Sequence, residues 1–407
     1  MTANILRPET TQQLCDAVAW AVAEEASLEV VGRGSKRMLG RPMQTSHTLD
    51  LSAIKGVISY EPAELVLTAR AGTPMEEIEN LLAAKRQMLA FEPPDFGALL
   101  GGADGASLGG VIAANLAGPR RIKIGAARDH FLGAAAISGR GEMFKAGGKV
   151  VKNVTGYDLC KLLAGSFGTL AVMDELTVKV LPAPDKTRTV LVLGLDDAAA
   201  AAAMADALNS PYEISAAAHL PAPVAGRSAV DYVRNAGTSV TALRIEGTAV
   251  SVAARCEGLR GTLAGKGALE ALHTMNTGKL WREIRDVAAL LPDRDAAIWR
   301  ISVPPADGPR VAAAITAALS ADLYYDWGGG LIWLAVPASQ DGGAAAIRAA
   351  LAATAGHATL IRAGDSVRAA VPVFEPQAPA LAELSRRVKA SFDPRRILNP
   401  GRMYAGV

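Results

Sequence analysis

The residues best suited to chemistry in this chain are glycines and the small polar and cationic groups beside them. Gly32-Arg33-Gly34-Ser35-Lys36-Arg37 sets two glycines, a hydroxyl and three cations in one short stretch. From Gly101 to Leu170 the glycines come in doublets beside small residues, as GGADGASLGGVIAANLAGPRRIKIGAARDHFLG and then KNVTGYDLCKLLAGSFGTL. Glycine at this density is costly unless main chain must approach something closely or adopt positive φ. Bare amides in such turns form concave anion-binding nests, and Arg33, Ser35 and Lys36 would add side-chain donors, two of them charged. The chemistry this supports is the seating of a large, phosphate-bearing cofactor against bare backbone.

Each stretch also has a plainer reading. Gly32–Arg37 follows an apolar strand, Leu28–Val31, yet it is not a dinucleotide fingerprint: the third glycine is missing at the needed offset and Pro42 interrupts the helix that should open there. The GK[ST] ending of a P-loop is also absent. Alone, the loop reads as well as a surface turn. Ser107-Leu108-Gly109-Gly110 runs into VIAANLAG, where Asn115 is the polar group in a small apolar run. Close helix packing would use the same residues. Gly165-Ser166-Phe167-Gly168-Thr169-Leu170 is weak by itself. It is the three stretches together that point to a cofactor.

Other candidates are scattered. The five histidines, His47, His130, His219, His273 and His357, stand in unrelated contexts. Arg244, Arg300 and Arg362 fall in expected strands, where a guanidinium could hold a carboxylate or enter a structural ion pair. Trp327 and Trp333 flank Gly328-Gly329-Gly330 and read first as a hairpin core, second as a lid or partner surface. Cys15, Cys160 and Cys256 form no CxxC or zinc pattern, so iron–sulfur ligation by this chain is not expected, and they suit a reducing cytoplasm.

The elements that must position these groups follow from periodicity. Thr10–Glu25 reads as a capped helix with Leu14, Val18 and Val22 on one face. Leu65–Ala71 alternates like a strand, and Thr73-Pro74-Met75-Glu76 reads as a capping box opening the next helix. Thr169–Val180 is an expected strand that ends at Leu181-Pro182-Ala183-Pro184, a domain boundary. Beyond it, Thr189–Leu193, Val240–Ile245, Ala297–Val303, Leu331–Val336 and Ala358–Ile361 read as strands among Ala-rich helices. That order suggests an antiparallel sheet with helices on one face, in two ferredoxin-like halves. From Pro379 a helix is expected to stop at Pro394, followed by ILNPGRM.

Composition removes other classes. With 407 residues, two or three domains are expected. A net charge of +2 is too small for a nucleic-acid surface. No apolar run is long enough to span a bilayer, and the N-terminal residues lack a signal-peptide core.

Taken together, the motifs resemble the vanillyl-alcohol oxidase and p-cresol methylhydroxylase flavoprotein superfamily. The matching order is the first glycine loop, Pro93-Pro94-Asp95, the SxGGxxAxNxxG block, Arg128–Gly133 and GSFGTL. FDPRRILNPGRM, at Phe392 to Met403, is similar to the C-terminal signature of the 2-hydroxy-acid dehydrogenase branch. KNVTGYDLCKL and DWGGGLIWL look most like the FAD-binding E subunits of glycolate oxidase.

The resemblance implies an α+β fold: a PCMH-type FAD-binding domain of two α/β subdomains (1–182), a ferredoxin-like α+β cap (183–375), and a segment returning to the FAD domain (376–407). It implies that Gly32, Arg33, Gly34, Ser35 and Lys36 lie over the FAD pyrophosphate. Ser107, Gly109, Gly110, Asn115 and Gly118 would line a second segment, and Gly168, Leu170 and Val172 would bring backbone beside the cofactor. Relatives that attach FAD covalently do so through a histidine in the first loop; Lys36 and Arg37 stand there, so binding would be non-covalent. The HxGDGNxH metal-and-substrate segment of catalytic relatives is absent, and the resemblance assigns no metal to this chain.

The implied function is that of an FAD subunit in a multi-subunit glycolate oxidase. The complex would oxidise glycolate, with D-lactate as a second acid, beside a second FAD subunit and an iron–sulfur subunit. Its place would be the cytoplasm or the inner-membrane surface, held there through the complex without insertion. Two alternatives remain: a self-sufficient FAD-dependent 2-hydroxy-acid dehydrogenase, and a flavin-binding subunit with no substrate chemistry.

Overall fold

The computed structural model describes residues 4–102, 105–149 and 156–407. Lys152 to Thr155 of the KNVTGYD motif lie outside the described residues. The chain divides into two compact units: 1–117, 125–183 and 376–407 form the first, 118–124 and 184–375 the second.

The first unit holds two main sheets. One is parallel, in the order Asn4–Leu6, His47–Asp50, Leu28–Val31. Helix Thr11–Ala23 buries Leu14, Val18 and Ala21, capped by Thr10, whose hydroxyl accepts from the Gln13 amide at 3.2 Å. These side chains share a core with Leu28, Leu49, Ile137, Val172, Ile397 and Leu398. The other sheet is antiparallel, in the order Val57–Glu61, Val66–Arg70, Ala171–Lys179, Phe131–Ser138, Met143–Gly147. The expected capping box does not form. Helix Met75–Ala83 starts after Pro74 with no side-chain cap. The fully buried Thr73 hydroxyl instead donates to the Arg70 carbonyl at 2.7 Å and accepts from the Gly56 amide at 2.9 Å. Closing that loop takes precedence over the helix end.

The C-terminal segment is built into this unit. Helix Pro379–Phe392 buries one residue, Lys389. Its ammonium donates to the Thr169 carbonyl (2.6 Å), the Leu398 carbonyl (2.8 Å) and Asp393 Oδ2 (2.8 Å). Asp393 in turn accepts from the amides of Ile397 and Leu398. The fully buried pair folds the turn after the helix onto strand Leu28–Val31, where Leu28 N–H donates to Ile397 and Asn399 N–H to Leu28.

The second unit is one eight-stranded sheet, antiparallel throughout. Lys186–Leu193, Ala216–Leu220, Val240–Gly247 and Ala268–Leu272 with helices Asp197–Leu208 and Ala249–Leu263 make one strand–helix–strand–strand–helix–strand half. Ala297–Ser302, Asp322–Asp326, Leu331–Val336 and His357–Arg362 with helices Gly308–Ala318 and Ala344–Leu351 make the other. Each half has the ferredoxin-like order, and the halves join where His219 pairs with Tyr325. Alternation along a strand divides the side chains between two faces. Val190, Leu243 and Ala217 face the first pair of helices. Arg244 and Glu246, and in the other half Tyr324, Trp333, Arg300 and Thr359, follow the opposite register.

Candidate cofactor site

The first glycine loop leaves strand Leu28–Val31 and passes against Ser107. A Cβ on Gly32 would lie 2.2 Å from Ser107 Oγ, so the approach requires glycine. Gly34 has φ of 76°, a conformation open to glycine. Ser107 caps the short helix Leu108–Ala113, its hydroxyl accepting from the Gly110 amide at 3.4 Å. That helix is strapped to the strand before it: Gly109 N–H donates to Ala71 at 2.8 Å and Leu108 N–H to Thr73 at 3.0 Å. A third wall comes from Phe167-Gly168, anchored by Phe167 N–H to the Ala113 carbonyl at 2.8 Å.

These walls enclose a cleft that is partly open to solvent. Gly32, Arg33, Gly34, Ser35, Lys36, Ser107, Gly109, Gly110 and Gly168 all line it. The other four expected residues are placed elsewhere. Asn115 is turned to the Arg128 amide, from which its Oδ1 accepts at 3.0 Å. Gly118 belongs to the second unit, its carbonyl accepting from the Trp327 indole. Leu170 is buried, and Val172 packs in the core under helix Thr11–Ala23.

Asn399 and Arg402 also line the cleft. Asn399, at φ 41°, accepts from Val30 N–H and donates to the Phe167 carbonyl, each at 2.7 Å, joining two walls with one side chain. Arg402 donates to the carbonyls of Lys36 (2.7 Å) and Leu39 (3.2 Å), holding the glycine loop from behind. Sequence reasoning saw the LNPGRM turn but gave it no site role. The Asn-Pro-Gly turn was the available signal; the separation of 369 positions between Val30 and Asn399 hid the contact.

The cleft is electropositive. Lys36 is buried, with its ammonium 3.2 Å from Ser35 Oγ. Burial, opposed by Asp95 and reinforced by Arg402, lowers its pKa from 10.5 to about 8. A buried lysine of this kind gains when an anion arrives beside it. Arg37 is instead salt-bridged to Glu29. The donor set and the glycine walls thus fit a phosphate-bearing cofactor.

The histidines stay apart. Among the described residues no group of three His, Cys, Asp or Glu side chains is placed to hold a metal ion. Of the three strand arginines, Arg244 lies in a network with Glu246 and Ser215. Arg362 donates to the carbonyls of Ala296 and Asp293. Burial pushes the Glu246 carboxyl up, but Arg244 and Arg120 together hold it down to about 2. Trp327 and Trp333 are both buried at the hairpin Asp322–Val336, as their hairpin reading expects.

Residues 2–147 match the family model described as an FAD binding domain. Two solved structures share the fold at low identity. One is 4-ethylphenol oxidase from Gulosibacter chungangensis (TM-score 0.73, 14% identity, 98% of this chain and 89% of that one). The other is p-cresol methylhydroxylase (TM-score 0.72, 13% identity, 99% and 88%). The fold is that of p-cresol methylhydroxylase, and the family model with the curated relatives makes the chain an FAD-binding oxidoreductase. Within that class, the chain is 35% identical over 395 residues to glycolate oxidase subunit GlcE of Escherichia coli (strain K12), covering 97% of each. The chain belongs to that family. D-lactate dehydrogenase of Archaeoglobus fulgidus is 28% identical over 213 residues, 52% of this chain and 44% of that protein.

Proposed function

We propose that this chain is a non-covalent FAD subunit of a multi-subunit oxidase that converts glycolate, with D-lactate as a second acid, to the 2-oxo acid. The observation that carries the reading is the full-length likeness to a glycolate oxidase subunit, combined with a cleft whose glycine walls and buried Lys36 suit a pyrophosphate. Glycolate oxidase subunit GlcD of Bacillus subtilis is 26% identical over half of this chain, which supports a second flavin subunit as partner.

Gly32, Gly34 and Ser35 would present amides and a hydroxyl to the pyrophosphate, and Lys36 would supply its counter-charge. Gly109 and Gly110 keep the facing wall free of side chains, while Asn399 and Arg402 hold the walls in register. When bound, FAD would take two electrons from the acid and release them singly. An iron–sulfur subunit would receive them, since Cys15, Cys160 and Cys256 are dispersed along this chain. Non-covalent binding is supported by the cleft lining: among its described residues none is His, Cys or Tyr.

Removing a proton and hydride from a 2-hydroxy acid needs a base within hydrogen-bond reach and a cation for the carboxylate. The dispersed histidines supply no clustered base, so the isolated chain should bind FAD yet oxidise glycolate poorly, gaining activity in the complex. The test is to purify the chain alone, release its flavin by acid, and follow flavin absorbance anaerobically with glycolate. FAD in the supernatant and slow or absent bleaching are expected. Flavin that stays with the precipitate refutes non-covalent binding; rapid bleaching shows that the chain is self-sufficient.

A further inference from the structure

We infer that Arg121 and Arg300, stacked on Trp327, form a carboxylate-binding site in the second unit. The inference rests on the 2-hydroxy-acid reading for the identity of the acid, but not for the existence of the site.

The geometry begins with strand register. Arg300 lies opposite Trp333 on one neighbouring strand and Thr359 on the other, so the three side chains share a face of the sheet. Ser302 and His357, paired two residues along, share it too. The turn after Asp326 lifts Trp327, at φ 53°, onto this region, and its indole N–H donates to the Gly118 carbonyl at 3.1 Å. That bond fixes the ring to the segment carrying Arg121. The Arg121 guanidinium carbon is 4.2 Å from the Trp327 ring centroid and that of Arg300 is 4.9 Å away. Two like charges are therefore held against one indole, each stack favourable on its own and the pair mutually repulsive.

Nearby acids are largely committed. Glu246 receives a bidentate grip from Arg120, at 2.8 and 2.9 Å. Glu375 is bonded to Arg348 and to the Ala358 amide. Asp326, which favours the Arg300 charge, accepts from the Trp327 amide at 2.7 Å. Arg300 itself donates no hydrogen bond to any described residue. Burial, then Arg121, brings its pKa down to about 10, which Asp326 does not offset. His357 is also held below its ordinary value, by burial first and then by Arg300, with Arg121 and Arg348 adding and Glu375 opposing. An under-compensated, half-buried guanidinium, with a second stacked on the same indole, suits a planar carboxylate, which a guanidinium N–H fork can grip.

Oxalate is the probe, since it carries the carboxylate and cannot be oxidised as a hydroxy acid. Calorimetry on the FAD-loaded chain should show one oxalate per chain, and tryptophan emission should change on binding. Arg300→Met and Arg121→Met should each weaken binding at least tenfold, and Arg300→Lys, which keeps charge and length, should recover part of it. Near-UV circular dichroism identifies variants that fold; if Arg300→Met does not, Arg300→Lys and Arg121→Met carry the comparison. Absence of oxalate binding to the wild type, undiminished binding in the folded Arg121 and Arg300 variants, or inorganic phosphate binding as tightly as oxalate would each overturn the carboxylate site. Glycolate separates the two readings. Arginine-dependent oxalate binding by a chain whose complex never reduces flavin with glycolate keeps this site and removes the proposed function. Absence of oxalate binding by a chain whose complex reduces flavin with glycolate keeps the function and removes the site.

Discussion

Adjacent glycines at 109 and 110 serve different ends, and substitution should separate them. A Cβ on Gly109 would lie 2.9 Å from the Ala71 carbonyl, which cannot give way without moving a strand. A Cβ on Gly110 meets Ser107 Oγ at 3.3 Å and Lys36 Nζ at 3.8 Å, at the wall of the cleft. Gly110→Val should therefore lose most bound FAD while keeping its fold, and Gly109→Val should lose both; flavin per mole of protein and far-UV melting read the two effects. Lys36 gives a second residue-scale expectation. Its pKa falls from 10.5 to about 8, so between those values the unfolded chain binds more protons and stability rises with pH. The burden of charging Lys36 is full below pH 8 and gone above pH 10.5, at most roughly 3 kcal/mol. Lys36→Met should flatten that rise in the flavin-free protein and weaken FAD binding. In the wild type, FAD affinity should drop as pH climbs past 8.

Among the elements, the C-terminal helix and its turn govern the cleft from a distance. Lys389 and Asp393 are both fully buried. Lys389→Met removes three hydrogen bonds and strands a buried carboxylate, a change that costs about 3–5 kcal/mol. Urea denaturation should show that loss, with FAD affinity falling as Asn399 and Arg402 lose their register. Neither effect was legible in a sequence where Lys389 reads as one more polar residue on an amphipathic helix. Periodicity did place helix Thr11–Ala23, strand Ala171–Lys179 and five strands of the second unit to within a few residues. It missed Ala216–Leu220, because AAAHL has helical propensity and becomes a strand only between two others. It missed Ala268–Leu272 and Asp322–Asp326 for want of clear alternation. Thr73 was misread because its hydroxyl has a better partner in the Gly56 loop than at the helix end. The glycine loops were legible because their residue type carries the constraint. Asn399 and Arg402 were not, since ordinary polar residues acquire their role only from tertiary contacts.

For the whole molecule, the two units are interleaved in the chain: it crosses between them at 117/118, 124/125, 183/184 and 375/376. The sequence reading placed boundaries at 182/183 and 375/376 and none at 118–124. The segment 118–124 instead enters the second unit through Arg120 on Glu246 and Gly118 on Trp327. Vectorial synthesis then orders events. Residue 375 emerges from the ribosome with every strand of the second unit made, while the first still lacks Ile397, Leu398, Asn399 and Arg402. A nascent chain stalled with residue 375 exposed should show protease-resistant fragments from 184–375 and retain no FAD; release of residues 376–407 should confer flavin retention. Loading the cofactor would thereby wait for residues 376–407, and a chain that lacks them would not withdraw flavin from the cell.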